Sequence, residues 1–212
     1  LVVRQTGGSE APDEEGKIKV FFELNGQPRT ARIAKAGLAG TARSRHKAEQ
    51  ICRYKSGKYT IERPLHLGAV MAAPERAAQL LPALSAYGLP LGDAFQMRDD
   101  VMGAFGDAAV TGKPVGGDLR EGKPTPLMAR AVAAADAAQQ QVLALVGRAD
   151  LTDDDVARVQ QAIIDSGALA DLEATIARLT AEAVAAIERA PIEPGARDEL
   201  IALATYVSQR TV

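Results

Sequence analysis

The run FQMRDDVMGAFGDAAVTGKPVGGDLREGKPT, residues 95–125, carries more of the reading than any other part of this chain. Gln96, Asp99, Asp100 and Gly103 recur at i, i+3, i+4 and i+7, so on a helix they share one face. Apolar Phe95 precedes that face, and a cavity-lining position is expected for it. A Gly/Pro-rich loop carrying Lys113, Asp118 and Lys123 follows. Carboxylate oxygens suit a hard divalent cation and neighbouring lysines suit phosphate charge, so the pattern points to diphosphate chemistry. Each piece also has a plainer reading. An acidic pair most often marks a solvated helix face, and lysines after glycine are common in surface loops. Asp107 and Asp118 are good turn formers, and Gly103 is a tolerated small residue costing about 1 kcal/mol relative to Ala.

The surrounding composition favours helices. At 212 residues and 47% hydrophobic, the chain can bury a core as one or two domains. Aromatics are only 4%, with no Trp, while Ala and Leu crowd the second half, as in helices packed through small residues. The formal charge of −2 hides an asymmetry: residues 1–66 carry 13 Lys/Arg against 7 Asp/Glu, and residues 67–212 carry 12 against 20. The basic part lacks interleaved aromatics and any nucleic-acid signature, so small anions are the expected partners and nucleic acid is not. Cys52 is the sole cysteine, which excludes an intrachain disulfide and suits a reducing compartment. His46 and His66 stand too far apart to suggest zinc. No apolar run nears the ~18 residues of a membrane span, and the first residues lack a secretory pattern. A cytoplasmic location is expected.

The chain reads as two unlike pieces, residues 1–50 and 51–212. In IKVFFEL, Ile18, Val20, Phe22 and Leu24 alternate onto one strand face, and Asn25-Gly26 is a strong hairpin turn. Leu24 and Gln27 should then pair, with Pro28 at a position that needs no N–H donor but cannot accept a further full strand partner. From Ile51 onward only helices are predicted. Residues 75–103 form a long pattern with a kink or break expected at Gly88-Leu89-Pro90. Residues 126–147 follow, with Pro126 in the first turn. Thr152 should cap a helix whose first turn holds Asp153, Asp154 and Asp155, with Gly167 ending it. Residues 168–189 carry the stripe Leu169, Leu172, Ile176, Leu179, Ala183 and Ile187. Residues 194–210 complete an all-α antiparallel array behind a short β-hairpin.

Three segments in order, RYKSGKYTIERPLHLGA, YGLPLGDAFQMRDDVMGAFGD and TGKPVGGDLREGKPT, resemble the C-terminal half of isoprenyl diphosphate synthases, closest to the geranylgeranyl-type branch of actinobacteria. The resemblance runs from about Ile51 to the C-terminus and includes IIDSGALADLEATIARL. It implies the isoprenoid synthase helical fold and a prenyltransferase that condenses isopentenyl diphosphate with an allylic diphosphate. By the same resemblance, Asp99 and Asp100 match the second aspartate-rich motif, which holds Mg²⁺ on the allylic diphosphate. The motif's usual third aspartate is Gly103 here. Gln96 matches a glutamine that steadies the prenyl group and its developing cation. Lys113 and Lys123 match diphosphate-binding lysines. Lys55 matches a lysine that binds diphosphate, with the Lys55 carbonyl and Ser56 hydroxyl facing the carbocation. Ionising an allylic diphosphate separates charge, and these residue types suit both halves of that need.

The family's first aspartate-rich motif, its arginine pair and its basic isopentenyl-diphosphate constellation do not stand before Ile51. Weak or absent activity of the chain alone is therefore expected, and the alternative is a non-catalytic helical interaction module. Self-association, or a complementing helical partner, would cover apolar faces; Leu65, Leu67, Leu81, Leu84 and Phe95 are the candidates. The segment EAPDEEGKIKVFFELNGQPRTARI resembles the stretch of pyruvate carboxylase between its carboxyltransferase region and its biotin carrier domain. Without a biotin-acceptor Met-Lys-Met, no carboxylase chemistry follows, and this second resemblance leaves open a chimera, an artificial fusion or a computed sequence.

Overall fold

Residues of alternating polarity produce the strands of the first unit, within residues 1–37, and helical stripes produce the second, within residues 38–212. The computed structural model describes residues 3–8, 17–24, 27–34, 45–106 and 115–210.

In the first unit, strands β2 (Lys17–Leu24) and β3 (Gln27–Ala34) form the expected hairpin, with Leu24 opposite Gln27 and Glu23 opposite Pro28. A strand that the sequence left unassigned, β1 (Val3–Gly8), pairs antiparallel with the other side of β2. The order β1-β2-β3 leaves Pro28 on an edge strand, where its missing N–H removes no ladder bond. The β1–β2 register slips between Gln5 and Gly7, a bulge in a glycine-containing strand.

The second unit is helical. Helix α1 (Arg45–Cys52) runs into a π-helical segment, Arg53–Glu62, and then into α2 (Arg63–Ala72). A 3₁₀ turn, Pro74–Arg76, leads to α3 (Ala77–Phe105). After that come α4 (Gly117–Arg120), α5 (Pro126–Ala134) and α6 (Ala137–Leu143). The chain closes with α7 (Asp153–Asp165), α8 (Ala168–Glu188) and α9 (Pro194–Gln209).

Helix α3 is the axis of this unit, packed most extensively on α8 and on the π-helical segment. It is continuous through Pro82 and Pro90, so the break expected at Gly88-Leu89-Pro90 is absent. Each proline withdraws a backbone donor. Burial of Tyr87, Gly88, Pro90, Leu91, Gly92, Asp93 and Ala94 holds the helix together there regardless. Its N-terminal half joins Leu80, Leu84, Tyr87 and Leu91 to Ala183, Ile187, Ala204 and Val207. Its C-terminal half joins Ala94, Met97 and Ala104 to Leu127, Ile163, Leu172 and Ile176. The α8 stripe is buried from Leu172 to Ile187, at roughly 1.5–3 kcal/mol per large side chain, and Leu169 is half-buried.

Caps set the helix ends. Thr152 and Asp155 form a reciprocal capping box that starts α7, and Thr125 accepts a hydrogen bond from Met128 N–H (3.2 Å) behind Pro126. Such caps stabilise by about 1 kcal/mol each. The single helix expected over residues 126–147 is instead two. Ala135 is extended, and Asp136 caps α6 through a second box with Gln139 (2.8 and 2.9 Å). Gly167, at φ 77°, separates α7 from α8.

Candidate functional site

Positions 88, 92, 96 and 100 make one seam along α3, spaced four apart. Small residues fill its upper part and polar side chains its lower part. The π-helical segment lies along the upper part. Its wide turns bond across five residues, as from Arg63 N–H to the Lys58 carbonyl, a geometry common at functional sites. Ser56 and Gly57 face inward, and Lys55, Tyr54 and Tyr59 face out.

Residues distant in sequence meet at the middle of the seam. The Ser56 hydroxyl donates to Gln96 Oε1, and Gln96 Nε2 donates to Asp100 Oδ1 at 3.1 Å. Asp100 is only 5% exposed, and its Oδ2 is buried without a hydrogen-bond partner. Burial pushes its carboxyl up to about 7. The Gln96 hydrogen bond opposes this, the nearby Asp118 and Asp99 charges add to it, and the Lys55 cation offsets part. Asp99, one position earlier, ion-pairs with Arg210, whose guanidinium carbon lies 4.4 Å from the Phe95 ring centroid.

Asp118 closes the lower end. Its sequence context reads as a turn, and only the folded chain brings it to Gly103. A Cβ on Gly103 would lie 2.2 Å from Asp118 Oδ2, so the Asp118 carboxylate stands where a side chain at 103 would project. Asp118 in turn accepts from Lys123 Nζ at 2.5 Å, and Lys123 also reaches Glu121 at 3.1 Å.

Of the residues singled out in the sequence, Ser56, Gln96 and Asp100 are brought together, and Lys55 stands exposed beside Ser56. Asp99 lies alongside but is engaged by Arg210, and Lys123 is tied to acidic neighbours. Lys113 lies outside the described residues. Sequence reasoning missed Arg210, and it missed the packing of Gly92 against Gly57.

Among the described residues, no three His, Cys, Asp or Glu side chains converge into a ready metal cage. The donor set still fits magnesium, which commonly takes one or two carboxylates and completes its shell with water and substrate phosphate. The unpartnered Asp100 Oδ2 and the adjacent Asp99 carboxylate are hard oxygen donors of that kind.

A family model for polyprenyl synthetase matches residues 38–163, more than half of the chain. The chain belongs to the polyprenyl synthetase family. It is similar to a geranylfarnesyl diphosphate synthase from Aeropyrum pernix, 35% identical over 159 residues, covering 74% of this chain and 48% of that protein. A geranylgeranyl diphosphate synthase from Mycobacterium tuberculosis is 34% identical over 145 residues, covering 68% of this chain and 40% of that protein. The fold matches the crystal structure of a geranylgeranyl pyrophosphate synthase from Corynebacterium glutamicum complexed with isoprenyl diphosphate and magnesium. That match has a TM-score of 0.73 and 39% identity, covering 79% of this chain and 47% of the other. The chain spans about half the length of the relatives it matches. The isoprenyl diphosphate synthase resemblance of the helical part, and its all-helical array, are thus borne out. The family match begins downstream of the β-sheet.

Proposed function

We propose that this chain supplies the allylic-diphosphate half of a prenyltransferase site. The observation that carries the reading is the chain of hydrogen bonds from Ser56 through Gln96 to Asp100, which joins the π-helical segment to the acidic face of α3. Lys55, Lys113 and Lys123 would bind the diphosphate, and Asp99 and Asp100 would hold Mg²⁺ against it. When bound, the metal supplies charge neutralisation for the departing pyrophosphate. In the proposed reaction the allylic C–O bond breaks, and both its electrons leave with pyrophosphate. The isopentenyl diphosphate double bond attacks the cation, and pyrophosphate takes the proton then released. Ser56 Oγ and Gln96 would present oxygen dipoles to the developing cation, while the buried seam limits access of water to it.

The cysteine-poor composition suits a cytoplasmic setting. Among the described residues, no helix is long and apolar enough to cross a membrane. A second copy, or a complementing helical partner, would cover the exposed apolar residues of α2, Leu67 (63% exposed), Val70 and Met71 (76%). Of the five residues expected on such a face, only Leu67 is exposed. Leu84 is buried in the core, and Leu65, Leu81 and Phe95 are half-buried.

The test is incubation with Mg²⁺, isopentenyl diphosphate and an allylic diphosphate, following longer prenyl diphosphates and pyrophosphate. Calorimetric titration with Mg²⁺ and pyrophosphate runs in parallel on wild type, Asp99→Ala and Asp100→Ala. Product formation supports a prenyltransferase. Aspartate-dependent binding without product supports a half-site that needs a partner. Absence of both rejects the proposal.

A further inference from the structure

The closest approach between the π-helical segment and α3 is backbone on backbone. A Cβ on Gly92 would lie 2.3 Å from Gly57 Cα, 3.0 Å from Gly57 N and 3.3 Å from Gly57 C. No rotamer relieves that contact, because every clashing atom belongs to main chain. Ordinary contact begins near 3.4 Å, so a methyl group at position 92 requires the two elements to separate by roughly 1 Å. On the other side of the crossing, a Cβ on Gly57 would meet Asp93 Oδ1 at 3.2 Å and the Leu89 carbonyl at 3.5 Å. That contact is milder, and a side-chain atom can yield to it.

The crossing stands one residue from Ser56 and one helical turn from Gln96. A separation of roughly 1 Å exceeds what an O–H···O hydrogen bond tolerates, since its useful range spans about 0.5 Å.

We propose that Gly57 and Gly92 are positioning residues: their side-chain-free crossing fixes the height of the Lys55–Ser56 ledge above Gln96. This rests on the allylic-diphosphate reading given above. The glycines touch no substrate in this role. They act through Ser56 and Gln96, and they set how closely the ledge can approach an allylic group bound on the seam.

The test compares Gly92→Ala, Gly57→Ala, Ser56→Ala and Gly68→Ala, the last a helical position with nothing within 4 Å of an added Cβ. The first readout is the side-chain amide resonance of Gln96, assigned by its loss in Gln96→Glu. Ser56→Ala removes the donor to Gln96 and shifts that resonance. Gly92→Ala is expected to reproduce the shift, Gly57→Ala to give a smaller one and Gly68→Ala none. The second readout is calorimetric binding of farnesyl thiodiphosphate, an unreactive allylic probe, with Mg²⁺. Gly92→Ala is expected to weaken binding about tenfold, and adding Ser56→Ala to it should cost nothing more. An unshifted Gln96 amide in Gly92→Ala, or additive losses in the double variant, overturns the proposal. If Gly92→Ala does not fold, as helical circular dichroism would show, the same comparison with Gly57→Ala decides it. If the wild-type chain does not bind the probe, the functional reading fails, and the amide comparison alone decides whether the glycines set the ledge.

Discussion

Arg210 holds the Asp99 carboxylate while its guanidinium lies over the Phe95 ring. The two residues are 111 positions apart, so the C-terminal end of α9 folds back onto the acidic face of α3. Arg210 therefore competes with any cation for Asp99.

Arg210→Ala is accordingly expected to tighten Mg²⁺ binding in the absence of diphosphate. The pair is partly exposed, so its contribution is about 1 kcal/mol after solvent screening, which corresponds to about fivefold in affinity. Calorimetry or a fluorescent Mg²⁺ competition assay reads it directly. Equal or weaker Mg²⁺ binding by the variant would show that Arg210 is not a competitor.

Asp100 predicts a pH dependence of stability. Its carboxyl sits at an ordinary 3.8 when unfolded and near 7 when folded, because the folded chain buries it. Below about pH 4 both states are protonated and the residue costs nothing. As pH rises toward 7 the unfolded chain ionises first, so the Asp100 contribution to stability falls, by at most about 4 kcal/mol. Above 7 it falls no further. Chemical denaturation of wild type and Asp100→Asn in chelator should show the variant gaining on wild type between pH 4 and 7. Parallel curves across that interval would refute the assignment.

What the sequence disclosed and what it withheld follow from the range of the interactions. The α8 stripe from Leu172 to Ile187 and the Thr152 cap are local patterns, and both were legible. The seam residues Gln96 and Asp100, with Asp99 alongside, were legible because one helical period sets them on one face. Contacts between distant residues were not. Nothing near Gly103 signals that Asp118 fills its missing side chain, and nothing near Gly92 signals a backbone 35 residues upstream. The split of residues 126–147 could have been read from Asp136 and Gln139, a capping box hidden in an alanine-rich run. Strand β1 gave no signal because Gly7 and Gly8 interrupt its alternation.

Cys52 should be chemically silent in the folded protein. It is 2% exposed, its Sγ donates to the Asp93 carbonyl at 3.6 Å, and burial pushes its thiol well above the ordinary range. An aromatic disulfide reagent is expected to label it at the rate of unfolding, and at once in guanidinium chloride. Full labelling of folded protein within the mixing time would mean that α1 does not pack on α3 as described.

Arg130 predicts how much a buried cation contributes where its partners remain wet. Its side chain is 3% exposed, and it ties three elements together: Nε to Asp171 at 2.8 Å, Nη2 to Glu49 at 2.9 Å and Nη1 to the Pro126 carbonyl at 3.1 Å. Removing one member of a fully buried pair typically costs several kcal/mol, because the remaining charge is stranded. Here the Glu49 and Asp171 side chains keep 36% and 51% of their exposure, so water can take over from the guanidinium. Arg130→Met should therefore lower the unfolding free energy by about 2 kcal/mol, short of a stranded-charge penalty. Arg130→Lys should recover only part, since one ammonium cannot reach all three acceptors in the planar fork geometry. Urea denaturation with an unchanged slope measures both. A loss below a few tenths of a kcal/mol for Arg130→Met would show that α1, α5 and α8 are held by apolar packing alone.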